Sequence, residues 1–214
     1  MQSGRQSGFT MIELMVTLTI LVILAVLAVP TFADLIEKSR LRGATDDIVN
    51  LLNAARIRST KAERQINVSI QGTSSWCAGA VAELGPATVG AAMTIADTPC
   101  DCTTSSNCTV PSASDTTSTT SDVMVVSSSS YSGVKLSSVS TDIAYVSTTS
   151  GGVTFNPKLG AVTDTSGNML TTQPKIVVLS KSGKYSTQIT VSPLGQTNVC
   201  VPSTSPFVAG YPSC

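Results

Sequence analysis

The stretch GFTMIELMVTLTILVILAVLAVP, residues 8–30, decides how the first part of the chain folds. It holds one carboxylate, Glu13, and no further charge follows until Asp34. As a helix, the uncharged run that ends at Ala33 is about 30 Å long, roughly the thickness of the hydrocarbon core of a bilayer. A cleaved secretory signal would have a basic start, a shorter apolar core and a small-residue cleavage site. The residues TFADLIEKSR continue as an amphipathic helix instead, so the sequence predicts a membrane helix.

Glu13 is the unusual residue of this stretch. A carboxylate inside a membrane helix is costly and usually marks a function, with a partner for its charge. The nearest basic residues in the chain are Arg5 and Lys38, and neither lies within reach along the helix. A cut between Gly8 and Phe9 would create an α-amino group one helical turn from Glu13. We therefore expect that amine to pair with Glu13 of the same chain or of a neighbour.

Residues 8–30 closely resemble the class III signal of type IV pilins and pseudopilins. The resemblance implies that a prepilin peptidase cuts between Gly8 and Phe9 and methylates the new amine of Phe9. It implies that Glu13 serves assembly by meeting the Phe9 amine of an adjacent subunit. Pro30 matches the helix-kinking proline of the family, and proline also removes one helical hydrogen bond.

An apolar stripe extends the helix beyond the uncharged run. Its members recur at alternating spacings of three and four residues: Leu41, Ala44, Ile48, Leu51 and Ala55. Such spacing places them on one side of a helix. The sequence therefore predicts one helix from about Phe9 to Glu63, whose second half packs on a sheet.

The rest of the chain predicts short strands between turns, from composition and alternation. The predicted strands are Gln65–Ile70, Val123–Val126, Val134–Leu136, Ile143–Ser147, Val153–Phe155, Lys175–Ser180, Thr187–Val191 and Thr197–Val201. The fold class is therefore α+β. With the resemblance it becomes a type IV pilin fold, a long N-terminal helix packed on an antiparallel β-sheet head with disulfides. The expected parts are a cleaved leader (1–8), a transmembrane or filament-core helix (9–33), its amphipathic half (34–64) and a periplasmic or extracellular head (65–214).

The distal half carries a second resemblance, to the GspH/FimT group of minor pilins and pseudopilins. It rests on INVSI (66–70), GGVTFNPKLGAV (151–162) and QITVSPLGQTNVC (188–200). The matching positions are Phe155, Pro157, Gly160, Ser192, Gly195 and Cys200. DNA-binding members carry arginines after the late glycine, whereas this chain has Gln196, Thr197 and Asn198 there.

The even count of six cysteines in a polar, Ser/Thr-rich region fits an exported protein with three disulfides. A zinc site of Cys77, Cys100, Cys102 and Cys108 is the alternative, but histidine and paired C-x-x-C units are both missing. The sequence favours a C-terminal loop closed by Cys200 and Cys214. Among the other four, the shortest pairing joins Cys102 to Cys108, and Cys77 to Cys100 would follow.

The absence of histidine also removes the commonest general base, so we expect neither an enzyme nor a cofactor nor a bound metal. The resemblance implies a minor pilin or pseudopilin that helps to initiate or cap a type IV pilus or a type II secretion pseudopilus through Glu13. Its partners would be other minor and major subunits, the prepilin peptidase and the assembly platform of the inner membrane.

The same resemblance implies a location. The chain would cross the inner membrane once, with its head in the periplasm, and then enter the filament. The alternative is a DNA-uptake or adhesive tip subunit. The basic cluster Arg56, Arg58, Lys61 and Arg64 could contact nucleic acid, but such runs are more often a solvated helix face, and DNA is not an expected partner.

Overall fold

The computed structural model describes residues 8–82, 100–102, 108–111, 121–139, 150–163 and 168–214, except for the side chains of 27–31, 111, 138–139 and 150–151. The chain divides into two compact units, Met1–Glu37 (the N-terminal unit) and Lys38–Cys214 (the head unit). The α-helix α1 (Met11–Ala62) contributes to both. The predicted helix is therefore confirmed to within about two residues at each end, the usual uncertainty of helix ends.

The N-terminal unit exposes apolar side chains on every side of its helix. All residues from Leu14 to Val16 and from Ile20 to Leu24 are at least half exposed, and Phe9 is 81% exposed. Successive residues point to different sides of a helix, so a helix that is apolar all round is normally covered by lipid or by protein. Among the described residues, no helix combines the length and apolar character that crossing a membrane requires.

The head unit has its own core, which begins at Leu41. The five residues of the predicted stripe are all at most 5% exposed, and Leu52 joins them at 0%. They pack with apolar side chains from the strands, among them Val68, Phe155 and Ile189. The predicted second half of the helix is thus packed against β-structure, as the spacing indicated.

Among the described residues, the head unit also contains two antiparallel sheets and one separate strand pair. A five-stranded sheet has the order β5-β2-β1-β7-β8, and a four-stranded sheet has the order β11-β10-β9-β6. Strands β3 and β4 pair with each other. The bounds are β1 Ile66–Gln71, β2 Cys77–Ala82, β3 Thr109–Pro111, β4 Ser121–Val123, β5 Val125–Ser127, β6 Lys135–Val139, β7 Ser150–Phe155, β8 Val162–Thr163, β9 Lys175–Leu179, β10 Ser186–Val191 and β11 Thr197–Cys200. A long helix on antiparallel sheets with disulfides confirms the predicted α+β fold.

Two of the differences from the predicted strands have local causes. Val123–Val126 is not one strand, because Met124 separates β4 from β5 and its N–H donates to the carbonyl of Cys108. β2 was not predicted, since alanine and glycine dominate it and both are poor strand formers. The predicted strand Ile143–Ser147 lies outside the described residues.

Candidate functional site

The helix α1 begins immediately after the predicted cleavage position. Thr10 precedes the helix, and its backbone carbonyl accepts from the N–H of Leu14 at 3.2 Å. Its hydroxyl oxygen lies 3.4 Å from the backbone nitrogen of Glu13, which donates to it. This is the arrangement of an N-cap residue, which satisfies a backbone donor of the first turn. Thr10 was missed in the sequence analysis, although the T-x-x-E spacing of Thr10 and Glu13 is a recognised cap pattern.

The predicted processing and assembly residues lie together at this helix start. Gly8 and Phe9 precede the helix, and Glu13 is an exposed residue of its first turn. A side chain placed on Gly8 would meet no atom of the chain within 4 Å. The fold therefore does not require glycine at this position. Pro30 lies within α1, but its side chain is outside the described residues, so its predicted kink stays a prediction.

The two turns that carry the distal motif meet at one helical side chain, Arg56. Its Nε donates to the carbonyl of Gly160 at 3.1 Å, in the turn that follows β7. A Cβ built on Gly195, in the turn between β10 and β11, would lie 2.9 Å from the same Nε. The N–H of Val162 donates to the carbonyl of Pro193 at 2.9 Å and joins the turns directly. We call this arrangement the turn clamp.

Both glycines of the turn clamp are required by the backbone. Gly160 has φ 60° and Gly195 has φ 76°, which is the left-handed region that glycine adopts without strain. A Cβ on Gly195 would also collide with the carbonyl oxygen of Gly160. The spacing of the motif thus has a structural reason. Its glycines let the two turns approach each other and the helix.

Much of the predicted basic cluster is engaged within the head unit. Arg56 belongs to the turn clamp, and Arg58 forms an ion pair with Asp122 at 2.9 Å. Lys61 is exposed, and Arg64 is partly exposed. Two of the four cations therefore have structural partners, which weakens the nucleic-acid reading of this cluster.

The three disulfides differ in part from the predicted pairing. Cys200 is bonded to Cys214, the pair that the sequence favoured. The other bridges are Cys77–Cys102 and Cys100–Cys108, so the pairs Cys102–Cys108 and Cys77–Cys100 are wrong. No cysteine is free.

One of the four cysteines of these two bridges is held by contacts that sequence spacing does not encode. Ser69 and Gln71 of β1 donate side-chain hydrogen bonds to the carbonyl of Cys100, at 2.7 and 3.0 Å. Gly79 of β2 lies next to the sulfur atoms of Cys100 and Cys108 and the Cβ atom of Cys102. Three of the four cysteines of these two bridges therefore share the space beside one glycine.

Two tyrosines bind the loops of the head unit to its helix. The hydroxyl of Tyr131 donates to Asp47, and that of Tyr211 donates to Asp46. The hydrogen bond to Asp47, with a smaller effect of burial, raises the pKa of Tyr131 to about 12. Burial first, and then the hydrogen bond to Asp46, raises the pKa of Tyr211. Neutral phenols are therefore part of the folded head.

Comparison with known proteins identifies the N-terminal segment. Residues 3–29 match the family model described as the prokaryotic N-terminal methylation motif. The type II secretion system core protein G of Aeromonas hydrophila is 52% identical over 54 residues, which cover 25% of this chain and 38% of that relative. No solved structure matches the chain.

The matched methylation motif covers the helix start with Gly8, Phe9 and Glu13. The chain also has a long helix packed on antiparallel sheets, and disulfides. On this evidence the N-terminal segment of the chain is similar to that of type IV pilin-like proteins.

Proposed function

We propose that the protein is a minor pilin or pseudopilin of the GspH/FimT group, a structural subunit that helps to initiate or cap a type IV pilus or a type II secretion pseudopilus. The observation that carries the proposal is the methylation motif over residues 3–29, joined to a helix start at which Gly8, Phe9 and Glu13 lie outside any core. The turn clamp supports the GspH/FimT assignment, because it gives Gly160 and Gly195 of the distal motif one shared structural role.

The proposed mechanism has two steps. A prepilin peptidase in the inner membrane hydrolyses the peptide bond between Gly8 and Phe9. The new amine of Phe9 then takes a methyl group from a sulfonium methyl donor, which leaves as a thioether while the amine loses a proton. The chain, held in the membrane by residues 9–33 with its head in the periplasm, then moves into the filament. There the amine of Phe9 pairs with Glu13 of an adjacent subunit, and apolar side chains that the N-terminal unit leaves exposed pack among neighbouring helices.

Pairing of an ammonium with Glu13 has a direct physical advantage in such a surrounding. A carboxylate moved from water into an apolar filament core loses its hydration. Attraction to an adjacent opposite charge offsets much of that free-energy cost. The disulfide-braced head suits an exposed position, because bridges hold a fold together outside the cell.

The proposal is tested by the variants Glu13→Ala and Glu13→Gln. We expect both to be inserted and processed normally, and to be recovered in sheared filaments at a level reduced at least about tenfold, since loss of one charge of a buried pair typically costs several kcal/mol. Recovery is measured by immunoblot of filaments against whole cells. Wild-type recovery of both variants contradicts the pairing.

Processing is measured in the same samples by intact mass. The expected mass lacks residues 1–8 and carries one methyl group. The matched control is Gly8→Ala, whose added methyl group meets nothing within 4 Å in this chain, so a loss of cleavage in that variant reports on the peptidase and not on folding. Wild-type protein that begins at Met1 in normal cells would contradict the proposal as a whole.

A further inference from the structure

Two of the three disulfides lie against each other inside the head unit. The bridges Cys77–Cys102 and Cys100–Cys108 bring four cysteines into one buried cluster, and each of the four is at most 5% exposed. We call these four residues the sulfur cluster. The third bridge, Cys200–Cys214, closes the C-terminal loop instead.

The surroundings of Gly79 show how close the two bridges of the sulfur cluster are. A Cβ built on Gly79 would lie 2.8 Å from the Sγ of Cys108, closer still to the Sγ of Cys100, and 3.1 Å from the Cβ of Cys102. The Cβ of Cys102 therefore lies within about 6 Å of both sulfur atoms of the other bridge. In a disulfide the two Cβ atoms are about 3.8 Å apart, so a shift of a few ångströms would allow Cys102 to change its partner.

Chain entropy hardly distinguishes this pairing from a second one. The bridges of the native pairing join cysteines 25 and 8 positions apart. A second pairing, Cys77–Cys100 with Cys102–Cys108, closes two loops of nearly the same lengths. Because the entropy of loop closure changes only with the logarithm of loop length, the two pairings have similar entropies. The preference for the native pairing therefore has to come from contacts within the head unit.

We propose that the sulfur cluster is a disulfide-exchange centre, at which a small thiol converts the native pairing into the second pairing and is then released unchanged. The bridge Cys77–Cys102 opens first, because both of its cysteines are 5% exposed whereas Cys108 is 0% exposed. The exchange leaves the oxidation state of the chain as it was and changes which cysteine ties the segment before β3 to β2. It is a conformational device of the head unit and does not depend on the proposed function.

Each step of the exchange is the attack of a thiolate on a disulfide sulfur, so atoms and electrons balance. The thiolate of the small thiol attacks the Sγ of Cys77, forms a mixed disulfide with it and releases Cys102 as a thiolate. The thiolate of Cys102 attacks the Sγ of Cys108, which breaks the bond to Cys100 and releases Cys100 as a thiolate. Cys100 then attacks the Sγ of Cys77 in the mixed disulfide and expels the small thiolate.

The test uses the oxidised full chain in detergent micelles, with reduced glutathione as the small thiol. After incubation at about pH 8, where part of the glutathione is thiolate, free thiols are blocked with N-ethylmaleimide. The chain is then cut on the N-terminal side of aspartate. Cuts at Asp101 and Asp115 separate Cys100 from a peptide, 101–114, that holds both Cys102 and Cys108. Mass spectrometry without reduction detects this peptide by itself, with an internal bridge, only where Cys102 is bonded to Cys108.

We expect the internally bridged peptide 101–114 to appear when glutathione is present and to be missing without it. It should come from at least about one hundredth of the chains, a ratio at which the native pairing is favoured by about 2.8 kcal/mol. Its rate of formation should rise nearly tenfold from about pH 6 to about pH 7, because the thiolate is the attacking species and an ordinary thiol has a pKa of about 8.5.

The variant Cys77→Ser isolates the step within the chain. It leaves Cys102 without its partner, so the thiolate of Cys102 should attack Cys108 with no thiol added. N-ethylmaleimide should then label Cys100 as well as Cys102. The matched control is Cys200→Ser, which frees Cys214 in the C-terminal loop, and its label should stay on Cys214.

The results that would overturn the inference are distinct. A native pairing that stays complete in glutathione overturns the exchange, and a label confined to Cys102 in Cys77→Ser overturns the attack on Cys108. If Cys200 or Cys214 becomes bonded to the sulfur cluster in the wild-type chain, the exchange follows unfolding and the inference is wrong. None of these results bears on the proposed role as a minor pilin or pseudopilin.

Discussion

At the scale of single residues, glycine explains several close approaches. Gly43 is a helical glycine on which a Cβ would lie 2.7 Å from the ring of Tyr131, so its small size lets the ring reach Asp47 one turn further on. In the same way, the small size of Gly79 leaves room for sulfur atoms of the disulfides. A Cβ there would lie 2.8 Å from the Sγ of Cys108 and closer still to that of Cys100. At both positions glycine is required because it lacks a Cβ atom, and not because its backbone is flexible.

The variant Gly79→Ala should interfere with the paired bridges. The added methyl group collides with sulfur atoms that are themselves fixed on the sheet, and overpacking of this kind typically costs about 1–3 kcal/mol. We expect a lower urea midpoint and mixed disulfide isomers among Cys77, Cys100, Cys102 and Cys108. The isomers are identified by mass spectrometry of non-reduced peptides.

Gly183→Ala is the control for this variant. Gly183 has φ 76°, but a Cβ on it meets nothing within 4 Å. Its cost is backbone strain alone, about 1 kcal/mol, and its disulfides should be those of the wild type. If Gly79→Ala has the stability and the disulfides of the wild type, the sulfur atoms have room to move and the prediction is wrong.

At the scale of secondary-structure elements, the helix and both sheets are linked through the turn clamp. Gly160 follows β7 of the five-stranded sheet, Gly195 precedes β11 of the four-stranded sheet, and Arg56 contacts both. The guanidinium is only partly exposed, so its hydrogen bond to the carbonyl of Gly160 is shielded in part from water.

The variant Arg56→Met keeps the apolar stem and removes the donor. Hydrogen bonds of charged groups contribute about 1.5–3 kcal/mol, and partial exposure lowers this, so we expect a loss of about 1–2 kcal/mol in the free energy of unfolding. Urea denaturation of the full chain measures it. Lys61→Met, an exposed position on the same helix, should change the value by less than about 0.5 kcal/mol. If the two variants lower the free energy of unfolding equally, Arg56 does not stabilise the turn clamp.

The same scale shows what the sequence could and could not predict. The helix and its buried stripe follow from periodicity, because Leu41 to Ala55 recur at helical spacing whatever they pack against. The turns at Gly160 and Gly195 follow from Pro and Gly chemistry, but their meeting at Arg56 does not, since no local pattern encodes contacts between distant turns. Two of the three predicted disulfide pairs were wrong for the same reason, whereas Cys200–Cys214 was predicted correctly. Cys100 is held by Ser69 and Gln71, which lie 31 and 29 residues away along the chain.

At the scale of the whole molecule, the two units differ in how far their apolar side chains are buried. The head unit has a core of its own that starts at Leu41, three disulfides and hydrogen-bonded tyrosines. The N-terminal unit leaves side chains such as Phe9, Met11 and Leu21 more than 60% exposed. These are the side chains that the proposed packing among neighbouring helices would bury.

The stability of the head unit should fall in alkali. The pKa of Tyr131 is about 12 in the folded chain and about 10 in an unfolded one, so the folded chain retains a proton that the unfolded chain has lost. Stability contributed by this phenol is complete below about pH 10 and is lost as the pH rises towards 12. Because the ring is partly exposed, we expect an effect on the order of 1 kcal/mol after allowance for solvent screening.

This pH dependence is measured by urea denaturation at about pH 8 and about pH 11, the two sides of the ordinary tyrosine pKa. The decrease between them should be smaller in Tyr131→Phe, which has no phenol to titrate at that position. A decrease as large as that of the wild type would show that Tyr131 does not control the alkaline limit. Tyr211→Phe should act in the same direction, because its pKa is also raised.

The position at which α1 begins has a consequence for the cleaved chain. With Thr10 as the cap, the proposed cut would leave the first turn intact and put the new ammonium of Phe9 beside the positive pole of the helix macrodipole. Two positive ends repel each other, and the chain's own Glu13 offsets this only in part. A mature subunit would then start with an ammonium group that its own helix terminus disfavours. That terminus would therefore favour the approach of a second helix that brings the carboxylate of its Glu13.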